Sequence, residues 1–283
     1  MRHLRFCGLV ALIALLSALQ GTVAHGQTPH LFAAVGDVTA ELDRRYFEEI
    51  VNLPVGHRMR RAASGVGRFE ILLEGEDVWR ERHCTASLIS ADYILTAFHC
   101  LTSVFAPYRR LPLAAARVRL GYLSDDRPGV TWPVDPDPVA RNFSEVDGLD
   151  YAVLKILADG TARPPVAQFA PVPLRAQRPA PGAALFMIHH PGGYNLRLTV
   201  RDCRAFDRSP GDDTYPQALA HRCDTRLGSS GAPLFSEELG GAIAIHHLGI
   251  NRWHSNFAQP ITAIAADSEI VARLSAQAPP PGP

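Results

Sequence analysis

The chain has 283 residues, 47% of them hydrophobic and 20% charged, and its 28 basic residues balance 28 acidic ones. That is an ordinary globular composition with enough length for a core in one or two domains. A charge balance of zero argues against a nucleic-acid partner or an anionic membrane, either of which would draw on a basic surface.

Residues 1–26 have the layout of a secretory signal peptide. Arg2 and Arg5 form a basic start and Leu9 to Leu19 an apolar run. Ala24 or Gly26 supplies a small residue at the cleavage point, with Thr22 or Ala24 two places earlier. The run is too short to span a bilayer, and no later stretch could span one. The mature chain is therefore expected to be secreted or periplasmic, with no membrane contact once the signal is gone. Cys7 leaves with that signal. The even set Cys84, Cys100, Cys203 and Cys223 favours disulfides in an oxidising compartment. No C-x-x-C pair occurs, which disfavours a zinc knuckle or a thioredoxin-like site.

Residues 27–61 read as an N-terminal extension or propeptide. In it, Leu42, Tyr46, Phe47, Ile50 and Val51 recur at helical spacing and predict a helix over Glu41 to Val51. His57-Arg58-Met59-Arg60-Arg61 is a basic run that suits a processing site and a solvated linker equally. From Val66 the texture changes to short alternating runs separated by Gly, Pro and Asp. They include Phe69–Leu73, Ala86–Ile89, Tyr93–Thr96, Val118–Leu120, Tyr151–Leu157, Ala184–Ile188, Leu196–Val200 and Ala242–Ile245. Many short strands with turn signals between them predict an all-β sandwich or barrel. Pro-rich segments at 128–138 and 164–181 read as connections, the second as a link between two halves. Asp267-Ser268-Glu269 caps a short helix carrying Ile270, Val271 and Leu274, and 278–283 is a disordered tail.

Three stretches carry chemistry. A serine hydroxyl needs a base to take its proton and donors for the oxyanion that forms. Gly228-Ser229-Ser230-Gly231 suits that demand, because glycines on both sides let the amides of Gly228 and Ser230 converge. Taken alone it is equally an ordinary polar turn before a strand. Upstream, an apolar run ends at His99-Cys100, and Asp150 heads the strand-like Tyr151-Ala152-Val153-Leu154. An imidazole is the usual base for a serine, and a buried carboxylate fixes its tautomer. His beside Cys can instead be a packed structural residue, and Asp before a strand a turn former.

Leu95-Thr96-Ala97-Phe98-His99-Cys100, Asp150-Tyr151-Ala152-Val153-Leu154 and Gly228-x-Ser230-Gly231-x-Pro233 together resemble the trypsin-like (chymotrypsin-fold) serine peptidases. The chain order His, Asp, Ser is also theirs. Cys223-Asp224-Thr225 and Ile245-His246-His247-Leu248-Gly249 are most similar to the bacterial glutamyl-endopeptidase-like branch. The resemblance implies two antiparallel six-stranded β-barrels with the active site between them and a short C-terminal helix, within a peptidase domain at 62–277. It further implies His99 as general base, Asp150 as its orienter, Ser230 as nucleophile and the amides of Gly228 and Ser230 as oxyanion hole. Asp147 is the competing carboxylate, but Asp150 directly precedes the apolar run. The resemblance also implies a Cys84–Cys100 bridge anchoring the His99 loop and, with it, a Cys203–Cys223 bridge beside the substrate cleft.

Three positions depart from the family pattern: Phe98 replaces a small residue before the base, Ser229 the usual Asp before the nucleophile, and Ala232 the second Gly after it. None removes a reacting atom. Ala232 also breaks the G-x-S-x-G elbow of the α/β-hydrolases. His189-His190 and His246-His247 lack the spacing of a helical metal site, so neither metal nor cofactor is expected. The reading is a monomeric, secreted serine endopeptidase acting on protein or peptide substrates; the alternative is a catalytically silent homologue that binds a protein partner. For specificity, Asp224 favours basic residues and His246 acidic ones, with acidic preferred.

Overall fold

In β2 (Val66–Glu74) the side chains alternate, so Phe69 and Ile71 enter an apolar core while Arg68 and Glu70 face the other way. The same alternation in β3 (Trp79–Leu88) and β5 (Leu113–Ser124), its antiparallel neighbours, buries Ala86 and Leu88, and Val118 and Leu120. The computed structural model describes residues 47–74, 79–102, 113–144, 149–158, 163–206, 216–250 and 255–280. The expected signal peptide, most of the extension and the last three residues of the tail lie outside these.

Among the described residues the strands form two antiparallel sheets of seven. The first runs β6 (Arg127–Val134), β5, β2, β3, β4 (Tyr93–Thr96), β8 (Asp150–Lys155), β7 (Ala140–Phe143). The second runs β1 (Glu48–Glu49), β10 (Arg197–Thr199), β9 (Leu185–His189), β12 (Pro233–Ser236), β13 (Gly241–Ile250), β14 (Ser255–Pro260), β11 (Leu219–His221). All eight predicted runs fall on strands. The all-β fold of two antiparallel sheets is the one the resemblance implied, and the expected six strands per sheet are corrected to seven among the described residues. Each sheet has seven strands, because β1 and β7 add as short edge strands outside β10 and β8. In the first sheet the end of β6 returns to the end of β8, where Val134 bridges Ile156 and the amides of Asp135 and Leu157 donate to the Lys155 and Pro133 carbonyls.

Each sheet wraps its own core, and a third core lies between them. Phe69, Leu88, Ile94, Leu120 and Leu154 fill the first sheet; Met187, Leu234, Ile243 and Ala258 fill the second. The core between the sheets holds Leu95, Tyr151 and Val153 from one side and Phe186, Ile188 and Ile245 from the other. Strand β8 therefore buries both faces, Tyr151 and Val153 outward and Ala152 and Leu154 inward. Its first residue, Asp150, is carried to the junction of the two sheets.

Two sequence expectations fail locally. Residues 47–51 are not helical: Glu48 and Glu49 pair with Leu198 and Arg197, and Ile50 begins a 3-10 turn and is buried between the sheets. A lone helix of that length is marginal in water, and pairing to an open sheet edge outcompetes it. The 128–138 segment is not merely a connection, since β6 occupies most of it. Pro128 and Pro133 fit there because β6 is an edge strand, where a missing N–H breaks no interior ladder. The basic run folds as α1 (Arg58–Ala62), capped by His57 and burying Met59, with Arg60 Nη1 donating to the Leu53 carbonyl at 2.6 Å. The 164–181 link is fastened to both sheets by Val172 N–Leu88 O and Ala242 N–Pro173 O, each 2.8 Å. At the C-terminus α2 (Ile261–Asp267) packs on α3 (Glu269–Ala276), and Ser268 caps the latter as expected, accepting from Val271 N.

Candidate active site

Strand β4 ends at Thr96, and the chain turns through a 3-10 segment, Phe98–Leu101, that carries His99. The Cys84–Cys100 disulfide ties this turn back to β3. Because β4 pairs with β8, with Thr96 opposite Ala152, Asp150 arrives beside His99. The Asp150 carboxylate accepts from the His99 amide at 2.9 Å and meets Nδ1 at 2.6 Å. Both residues are 4% exposed. With the carboxylate ionised, Nδ1 holds the proton and the basic lone pair sits on Nε2. Burial works to raise the Asp150 carboxyl, but the charge and hydrogen bonds of His99 and His247 outweigh it and hold it well below the usual carboxylate range. His247, read in the sequence only as part of a His-His pair, lies with Nδ1 3.5 Å from Asp150. Its strand shifts register between His246 and Leu248, a bulge of the kind that re-aims a side chain. Asp147, the competing carboxylate, lies outside the described residues.

The Gly228–Gly231 turn belongs to the second sheet but is fastened to the first. Thr85 N donates to the Ser230 carbonyl and Thr85 Oγ1 to the Gly228 carbonyl, both at 2.8 Å. Gly231 N donates to His246 O at 2.7 Å. Gly228 and Gly231 have φ of 91° and 81°, a region that a Cβ makes costly. A Cβ on Gly231 would also strike the Thr85 carbonyl and Thr96 Oγ1, so glycine lets the turn lie against the strand end that leads to His99. The Leu227 carbonyl accepts from Gly192 N at 2.6 Å. A trans peptide is planar, so fixing that carbonyl on Gly192 directs the Gly228 N–H to the opposite side. Among the described residues no acceptor meets the amides of Gly228 and Ser230, whereas Ser229 N is bonded to Arg226 O. The turn thus offers two amide donors beside a half-buried serine.

The 190–193 loop that holds Leu227 is itself held from the first sheet. Arg68 Nη1 donates to the Gly193 carbonyl at 2.7 Å, and His190 N donates to Thr85 Oγ1 at 3.0 Å. Arg68 is fixed by Glu70, a 2% exposed carboxylate that also receives Arg117 and Arg119. Burial opposes the Glu70 charge, but the three guanidinium groups bring its pKa down to about 2.

The second disulfide joins Cys203 to Cys223, as the resemblance implied. Beside it the Asp224 carboxyl is raised by partial burial and by Asp202. Among the described residues no hydrogen bond or ion pair joins Asp224 to His246; instead His246 Nδ1 faces His221 Nε2 at 3.2 Å. Burial first, then neighbouring histidines, holds His246 well below the ordinary imidazole range. The adjacent histidines do not converge as a ligand set. His189 meets Ser229 and Thr199, and His190 Nδ1 donates to the Tyr194 carbonyl.

Two sheets meeting at a buried His–Asp pair, with a Gly-Ser-Ser-Gly turn clamped across the junction, define a protein of the trypsin-like class. A model of the trypsin-like peptidase domain matches residues 84–245, more than half of the chain, and the chain belongs to that family. Among solved structures, the protease Anisep from Arthrobacter nicotinovorans matches with a TM-score of 0.57 at 16% identity, over 74% of this chain and 96% of its own. A Glu endopeptidase in complex with MPD matches with a TM-score of 0.55 at 18% identity, over 76% and 92%. The inactive form of the Rv3671c protease matches with 0.52 at 18%, over 76% and 92%. At these identities the likeness is one of fold. Secreted RxLR effector protein 73 of Plasmopara viticola is 26% identical over 104 residues, 36% of this chain and 25% of that protein. The chain thus aligns with only about a quarter of that relative's length.

Proposed function

We propose that the chain is an exported serine endopeptidase that hydrolyses peptide bonds through an acyl-enzyme. Ser230 Oγ attacks the scissile carbonyl while His99 Nε2 takes its proton. Asp150 keeps the imidazole in the required tautomer and steadies the imidazolium, and the amides of Gly228 and Ser230 receive the oxyanion. The imidazolium then protonates the leaving amine, and water activated by the same base hydrolyses the ester. The observation that carries this reading is the Leu227 carbonyl bonded to Gly192 N, which turns the Gly228 amide away from Gly192 and leaves it free to receive an oxyanion. Two disulfides support export to an oxidising compartment. The preference proposed is for acidic residues at the cleavage site, with His246 receiving the substrate carboxylate; Asp224 would favour basic residues instead. A fluorophosphonate probe tests the core of this reading, because only an activated serine reacts. Wild-type protein should be labelled and should cleave a peptide library, and Ser230→Ala should do neither. Absence of labelling in the folded wild type would indicate the silent, partner-binding homologue.

A further inference from the structure

One buried polar chain runs behind the Gly-Ser turn. Arg226 N donates to Ser229 Oγ at 3.0 Å, and Ser229 Oγ lies 2.8 Å from His189 Nδ1. On the other side of the ring His189 Nε2 lies 3.0 Å from Thr199 Oγ1, which donates to the Asp224 carbonyl at 3.3 Å. His189, Ser229 and Thr199 are each 0% exposed.

The directions in this chain follow from its ends. Thr199 gives its only proton to the Asp224 carbonyl, so it accepts from His189 Nε2–H. His189 Nδ1 then carries the lone pair and accepts the Ser229 hydroxyl, whose oxygen in turn accepts from Arg226 N. A neutral imidazole protonated on Nε2 satisfies both neighbours. Strand β9 supplies His189 and β10 supplies Thr199, so two paired strands hold a side chain that ends on the turn. The Phe47 ring packs against the imidazole, with centroids 5.3 Å apart.

From this we infer that His189 is a positioning residue for the oxyanion hole, acting through Ser229 to hold the Gly228 and Ser230 amides in their receiving orientation. Ser229 is the residue between the two donors. Its amide bonds Arg226 O at 2.9 Å and its hydroxyl bonds Arg226 N, which locks the turn at its base. Without His189 the Ser229 hydroxyl loses the acceptor that fixes its rotamer. The peptide planes on either side are then free to rotate, while the front of the turn still rests on Thr85. His189 touches neither substrate nor a reacting atom, so its effect falls on transition-state stabilisation.

This inference rests on the peptidase reading, and its test separates the two. Wild type, His189→Phe and Thr199→Val are compared by thermal unfolding, kcat and KM on one peptide substrate, and inhibition by a peptidyl aldehyde and by the cognate cleaved product. Thr199→Val keeps shape and the His189 ring but removes the acceptor that sets its tautomer, so it remains informative if His189→Phe does not fold. Losing one oxyanion donor outright costs about 10² to 10³ in kcat, so a positioning loss should cost about ten- to a hundredfold. KM and product affinity should stay within about twofold, and the aldehyde, whose adduct uses the hole, should weaken in parallel with kcat. Folded variants with wild-type kcat and aldehyde affinity would overturn the inference, as would a loss in KM and product affinity alone. Wild type that neither cleaves nor reacts with a fluorophosphonate would overturn the peptidase reading itself.

Discussion

The hydroxyl of Thr85, on the first sheet, donates to the carbonyl of Gly228, on the second, at 2.8 Å, and accepts from His190 N at 3.0 Å. One buried side chain thus fastens both the Gly-Ser turn and the loop that orients it. Thr85→Val keeps the shape but leaves a buried carbonyl and a buried amide without partners. Each such group costs about 1–3 kcal/mol. Expected are a melting point lower by several degrees and a kcat lower by about tenfold, read by calorimetry and steady-state kinetics. Unchanged kcat would show that the turn holds its shape without the clasp.

Asp150→Asn preserves the shape of the His99 partner but not its charge, and it donates where the wild type accepts. The imidazole then favours the wrong tautomer, and on the proposed mechanism kcat should fall on the order of 10⁴-fold with little change in fold. His247→Ala removes a more distant partner, 3.5 Å from the same carboxylate. It should cost only several-fold. Circular dichroism alongside kinetics separates these losses from unfolding.

Acid should destabilise the protein in two stages. His189, His190 and His221 are pushed down to about 3 by burial, and His246 also lies well below its ordinary value. In the unfolded chain they take up protons near pH 6.5, so the unfolded state binds more protons below that value. Their contribution is complete above about pH 6.5 and is lost progressively toward pH 3, at up to about 1.4 kcal/mol per pH unit for each histidine. Glu70, lowered from its ordinary 4.5 to about 2, adds a second loss between those values. Urea unfolding from pH 8 to 3 should show the midpoint falling from about pH 6.5 downward. A flat profile to pH 5 would mean that these histidines ionise within the fold.

The segment from Phe47 through α1 should be needed for stability. Phe47, Ile50 and Met59 are 4%, 1% and 7% exposed, and Ile50 and Met59 lie in the core shared by the sheets. Burying each is worth about 1.5–3 kcal/mol. A chain beginning at Ala62 should melt well below one beginning at Phe47, and differential scanning fluorimetry of the two is sufficient. Equal melting points would mark the segment as a removable extension.

Specificity distinguishes two residues, His246 and Asp224, that no hydrogen bond or ion pair joins among the described residues. His246→Ala should depress cleavage after Glu far more than Asp224→Asn does. A library profile preferring Arg or Lys, lost in Asp224→Asn, would reverse the assignment.

Residues 84–235 hold, in sequence alone, nearly everything that names the chemistry. A histidine after an apolar run, an aspartate heading a run such as Tyr151–Leu154 and a serine between glycines are local patterns. Local patterns survive without coordinates because strand alternation and turn chemistry act over a few residues. The C-terminal helix cap was legible for the same reason, whereas the cysteine pairing followed from the family resemblance. What only the tertiary structure decided depends on residues far apart in the chain. Glu48 and Glu49 chose a strand because β10 offered an open edge, which no helical periodicity near Phe47 could announce. Arg68 reaches Gly193 and Thr85 reaches Gly228 across 125 and 143 positions of sequence. His189 looked like half of a His-His pair until folding placed Ser229 on one ring nitrogen and Thr199 on the other. A buried imidazole must find partners wherever the fold supplies them, and those partners, set by the pairing of strands, decided what that histidine is for.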